Sequence, residues 1–93
     1  MKQPEWLTEN PDGTRTVQLL GEALAIEGAT VQALTMREPT VGDELNAQRA
    51  GNNEGEQEVA LFANLCQVSP DDLRKLTKRN YKRLQVAFVG FME

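Results

Sequence analysis

From Thr14 onward the chain alternates. Arg15, Val17 and Leu19 fall on one side of an extended backbone, and Thr14, Thr16, Gln18 and Leu20 fall on the other, which is the two-residue period of a strand. Gly21-Glu22 interrupts the run and Leu24-Ala25-Ile26 resumes it, so a bulge, a bend or a short second strand is expected near Gly21. Glu27-Gly28 reads as a tight turn, with Gly28 supplying the positive φ of a close hairpin. The return strand, Thr30 to Arg37, carries Leu34 and Met36 on one face and Val31 with Ala33 on the other. A lone two-stranded hairpin is marginal in water, so its apolar face needs a cover from the segments that follow.

The period changes at Pro39. Proline removes a backbone donor and biases Glu38 away from helical angles, which ends the strand. Thr40 then offers a capping hydroxyl, with Asp43 three residues on in the first turn. Val41 to Arg49 is expected as a short helix facing inward through Val41, Leu45 and Gln48. Ala50-Gly51-Asn52-Asn53-Glu54-Gly55 reads as a mobile connecting loop without the lysine-serine pair of a phosphate-binding loop. Glu56 to Gln67 is strongly amphipathic: Val59, Phe62, Ala63 and Cys66 recur at helical spacing, and Leu61 and Leu65 widen the stripe. Ser69-Pro70-Asp71-Asp72 is a helix start, with a capping serine, proline at the first helical position and an acid three residues after the cap. That helix ends near Leu76, turning Leu73 and Leu76 inward. A last helix from Thr77-Lys78-Arg79-Asn80, or a kinked continuation of the previous one, repeats Tyr81, Leu84, Phe88 and Phe91 on one stripe. Val86, Val89 and Met92 lie on another side, and no charge falls between Val86 and Met92.

Residues 1–13 show no period. Pro4, Pro11 and Asn10-Pro11-Asp12-Gly13 predict a loose, flexible leader ending in a turn, with Trp6 and Leu7 either folding back on the domain or meeting a partner. The predicted fold class is α+β: residues 14–93 as a single domain, a β-hairpin over 14–37 packed on three to four short helices over 40–93. Ninety-three residues suit one core. No apolar run approaches the roughly 20 residues that span a bilayer, and no signal-peptide pattern opens the chain, so a cytoplasmic location is expected.

The chemistry on offer is narrow. There is no histidine, and the one cysteine, Cys66, falls on an apolar helix face, where a small buried hydrophobe is expected rather than a reactive thiol. The acids show no catalytic pairing: Asp71 and Asp72 are explained by a helix start, and Glu54, Glu56 and Glu58 by a polar first turn. No catalytic, cofactor or metal-binding residue is expected, and the chain reads as a non-enzyme.

Charge is more telling. Residues 1–72 hold thirteen acids and four bases, residues 73–93 six bases and one acid, and the total is −4. Arg74, Lys75, Lys78, Arg79, Lys82 and Arg83 repeat in pairs every four residues, so one continuous helix would display them as a stripe. A small nucleic-acid-binding regulator is one reading of that stripe. The acidic total and a single interleaved aromatic, Tyr81, weigh against it and favour solvation, pairing with the acidic half, or an acidic protein partner.

Three stretches resemble the small tail assembly chaperones of contractile-tailed bacteriophages, including the Mu-like proteins, from about Val17 to the C-terminus. They are Leu34-Thr35-Met36-Arg37-Glu38-Pro39-Thr40 with Gly42-Asp43, the helix Glu58 to Cys66, and the ending from Leu73 through Leu76 to Tyr81, Leu84 and Phe88. Only the first is specific. Where the family often opens its last helix with aspartate, this chain has Asn80. The resemblance implies a non-enzymatic helper in the cytoplasm of the bacterial host, absent from the mature virion. Such a helper binds the tape measure protein, keeps it soluble and supports tail tube assembly, with other tail assembly proteins as further partners. A groove formed or bordered by Tyr81, Leu84, Phe88, Val89, Phe91 and Met92 would suit a long amphipathic client helix.

Overall fold

The computed structural model describes residues 3–21 and 24–93. Met1 and Lys2 of the expected leader lie outside them, as does Glu22 of the expected interruption. Among the described residues, five short strands precede four helices: β1 Leu7–Glu9, β2 Arg15–Gln18, β3 Leu24–Ile26, β4 Ala29–Val31, β5 Ala33–Met36, α1 Val41–Ala50, α2 Glu54–Cys66, α3 Pro70–Arg74 and α4 Lys78–Gly90. The class is α+β, but the hairpin is more elaborate than the alternation implies. An antiparallel sheet runs in the order β1-β2-β5, and β3-β4, which lies between β2 and β5 in the chain, forms a separate two-stranded ribbon.

The third strand of the larger sheet comes from the stretch expected to be a loose leader. Pairing sets Leu7 opposite Val17 and Val17 opposite Leu34, so one apolar row crosses all three strands, and all three side chains are buried. Burial of such a row stabilises by roughly 1.5–3 kcal/mol per side chain. The opposite face presents Thr8, Thr16 and Thr35 in register, with the Thr16 and Thr35 hydroxyls 3.1 Å apart. The expected turn after this strand is present: the Gly13 N–H donates to the Asn10 carbonyl at 3.0 Å, and the Asp12 carboxylate accepts from the Thr14 N–H and hydroxyl. In the β3-β4 ribbon both Glu27 (φ 50°) and Gly28 (φ 81°) are left-handed, the conformation of a primed hairpin turn.

Helix α2 is the centre of the molecule, as its stripe predicts. Leu61, Phe62, Ala63, Leu65 and Cys66 are buried, and Phe62 is fully enclosed. Its ring meets Tyr81 and Phe88 of α4 at centroid distances of 5.5 and 5.2 Å. Ala47 of α1, Leu73 of α3, and Leu84 and Ala87 of α4 complete the same core.

Helix α1 turns the opposite face from the expected one. Val41 is 76% and Leu45 51% exposed, Gln48 is exposed, and Asp43 and Ala47 face inward. The cause is the strand-to-helix joint. Asp43 completes a capping box with Thr40, and its carboxylate takes a two-pronged hydrogen bond from the Arg37 guanidinium at 2.7 and 2.9 Å. Asn64 of α2 donates to the same carboxylate at 3.3 Å. These polar bonds fix the rotation of α1, and the small Ala47 side chain lets it lie close to α2. The expected mobile loop is correspondingly short. Glu54 and Gly55 are already helical, and Gly51–Asn53 is fastened by the Asn53 cap on Glu56 N–H and by the Gln57 amide on the Gly51 carbonyl.

Candidate partner-binding surface

Helix α4 starts at its cap, Thr77, whose hydroxyl accepts from the Asn80 N–H at 3.3 Å. Asn80 is buried and holds another segment: its amide oxygen accepts from the Leu20 N–H at 2.7 Å, and its amide nitrogen donates to the Leu20 carbonyl at 3.1 Å. The end of the helix is fastened by Arg15 of β2. Its guanidinium lies 4.9 Å from the centre of the Phe91 ring, donates to the Gly90 carbonyl and pairs with Glu9. A cation at a helix C-terminus meets the negative end of the helix dipole.

The six residues expected to form a groove do not share one environment. Leu84 has no exposed surface and belongs to the core, because it sits on the sheet-facing side of α4; it cannot line an open groove in this conformation. Tyr81 and Phe88 lie half-buried against Phe62, and Phe91 lies half-buried under Arg15. Val89 (55% exposed) and Met92 (60%) point outward, joined by Val86 (38%). These three recur at intervals of three residues and form an apolar ridge. A shallow depression of about 270 Å³ beside it is bounded by Lys82, Gln85, Val86, Val89 and Glu93. Val86 belongs to the uncharged Val86–Met92 segment, whereas the stripe through Tyr81 and Leu84 lies on the buried side of the helix.

A larger open cleft, about 770 Å³, lies between the N-terminal half of α2, α3 and α4. Val59, Leu73, Leu76 and Tyr81 supply its apolar surface, Lys78 and Lys82 border it on α4, and Glu56 and Glu58 border it on α2. The Tyr81 hydroxyl donates to Glu58 at 2.8 Å, and the Gln85 amide donates to the same carboxylate oxygen at 2.9 Å. Burial first, then the hydrogen bond to Glu58 and the negative charge of that carboxylate, push the Tyr81 hydroxyl well above the usual phenol range. It stays protonated and serves as a fixed donor. Burial pushes the Cys66 thiol up to about 12, so at neutral pH it is protonated and inert as a nucleophile.

The basic residues do not form the stripe that a continuous helix would give. The helix breaks between Arg74 and Lys78. Arg74 pairs with Asp71 and Lys75 lies 3.9 Å from Asp72. Arg83 turns back to the N-terminal segment, donating to the Gln18 carbonyl at 2.8 Å and stacking 4.8 Å from the centre of the Trp6 ring. Among the described residues, Lys78, Arg79 and Lys82 make no ion pair.

The α+β body turns an apolar ridge and an open, charge-rimmed cleft outward. A family model described as phage tail assembly chaperone proteins, E, or 41 or 14, matches residues 16–93, and the chain belongs to that family. Its role is that of a phage tail assembly chaperone. Comparison with curated proteins and with solved structures returns no match. No helix among the described residues is long and apolar enough to cross a membrane.

Proposed function

We propose that this chaperone binds the tape measure protein, keeps it soluble in the host cytoplasm and supports assembly of the tail tube around it. Family membership supplies the setting, and the outward ridge of Val86, Val89 and Met92 is the observation that carries the contact. A long amphipathic client helix exposes a continuous apolar stripe that aggregates until it is covered. Three side chains, each already partly desolvated, contribute about 1 kcal/mol apiece when covered. One such contact is weak, and many copies along a client would hold it while still releasing it to the growing tube. Tyr81, Phe88 and Phe91 stiffen the ridge from behind, and Lys82 and Glu93 flank it.

Co-expression of the chain with the tape measure protein is expected to give a soluble complex recovered by affinity capture. Changing Val89 and Met92 together to aspartate is expected to leave the melting temperature within a few degrees of wild type, because both are exposed, and to return the client to the insoluble fraction. A client that stays insoluble with the wild-type chain would overturn the function. A doubly substituted chain that holds the client as well as wild type would overturn the ridge alone.

A further inference from the structure

The ridge leaves the cleft between α2, α3 and α4 unused. Its floor is missing a side chain. Gly55 lies four residues before Val59 and seven before Phe62, on the stripe that α2 turns toward α4. A Cβ at Gly55 would have only Asn53 Oδ1 near it, at 3.4 Å. Space therefore opens beside the half-buried Val59, Leu76 and Tyr81, and its volume of about 770 Å³ admits large apolar side chains from another molecule. The charges on the walls are unequally occupied. Glu58 is held by the Tyr81 hydroxyl and the Gln85 amide, and Glu56 accepts from the Asn52 N–H at 3.2 Å. Lys78 and Lys82 are exposed on the α4 wall and make no ion pair among the described residues. Standing four apart on one helix, they match carboxylates four apart on a second helix laid alongside. A further copy of this chain is poorly equipped to supply that pair. Within its four described helices only Glu54 and Glu58 stand four apart, and Glu58 is already held at the wall of the cleft itself.

We propose that the cleft docks an acidic amphipathic helix of a different protein, with leucine-sized side chains over Gly55 and Val59 and two carboxylates, one turn apart, on Lys78 and Lys82. The lysines select the sign of the partner's charge, and the apolar floor holds it. This contact is separate from the ridge and independent of the tape measure assignment, because it is defined by the chemistry of the cleft alone.

Fluorescence anisotropy tests it, with the full chain titrated into a labelled helical peptide that carries two leucines one turn apart and two glutamates four apart on an alanine-glutamine background. This probe is expected to bind roughly tenfold more tightly than its isomer with lysines in place of the glutamates, and the preference is expected to shrink as salt rises. Lys78→Glu/Lys82→Glu is expected to invert the preference. Gly55→Leu puts a side chain into the open space and a better helix former into α2. It is expected to weaken binding roughly tenfold without lowering the melting temperature. Val89→Asp/Met92→Asp is expected to leave peptide binding unchanged, which keeps the outcome distinct from that of the ridge. No binding of the acidic probe, equal binding of the two isomers, or binding indifferent to Gly55→Leu would overturn the proposal. So would loss of binding in Val89→Asp/Met92→Asp, which would seat the peptide on the ridge. Self-association of the chain that Gly55→Leu abolishes would overturn it in favour of a second copy as the occupant.

Discussion

Two polar residues hold segments together in opposite electrostatic ways. Asn80 needs both ends of its amide, because Leu20 presents an N–H and a carbonyl to it. An aspartate could accept from the N–H but would set a carboxylate against the carbonyl in a buried site. Asn80→Asp is therefore expected to cost about 1–2 kcal/mol in urea unfolding at pH 7, the helix dipole offsetting part of the loss. The deficit is expected to shrink as pH falls and the new acid becomes protonated and able to donate. Asp43 behaves the other way. The Arg37 guanidinium and then the Thr40 bonds hold its carboxyl far below the usual 3.8. Its folded-state value is depressed, so its contribution is present in full above about pH 5 and lost progressively as pH falls through and below the ordinary carboxylate range. Asp43→Asn is expected to cost about 2 kcal/mol at pH 7 and to flatten the acid side of the stability profile, as measured by denaturant midpoints from pH 2 to 7.

At the scale of elements, local signals were legible and long-range ones were not. The caps at Thr40 and Ser69, the turn at Glu27-Gly28 and the α2 stripe follow from neighbours within four residues, and each appears where the sequence places it. The rotation of α1 escaped because a polar tether overrides the apolar pattern: Val41 and Leu45 look like an inward face until Arg37 and Asn64 claim Asp43. Strand β1 escaped because three residues cannot show a period, and its pairing with β2 depends on register across the Asn10–Thr14 turn. Removal of residues 1–9 is expected to uncover Val17 and Leu34 and to forfeit the burial of Leu7 and the stacking of Trp6. The loss is about 3 kcal/mol, read as a lower urea midpoint for chain 10–93 than for the full chain.

Across the whole molecule, the charge asymmetry of the sequence is partly cancelled by the fold and partly kept. Arg74 and Lys75 pair with Asp71 and Asp72, while Lys78, Arg79 and Lys82 stay free of ion pairs among the described residues. The uncharged run from Val86 to Met92 was legible as surface in search of cover; which of its side chains face out depends on the aromatic contact with Phe62, which helical spacing alone does not reveal. The ridge and the cleft follow from that packing.

The two arginine stacks fasten the molecule reciprocally: Arg15, near the start, clasps Phe91 near the end, and Arg83, near the end, clasps Trp6 near the start. A tail appended after Glu93 would start two residues beyond the clasped Phe91 and leave the body beside β2.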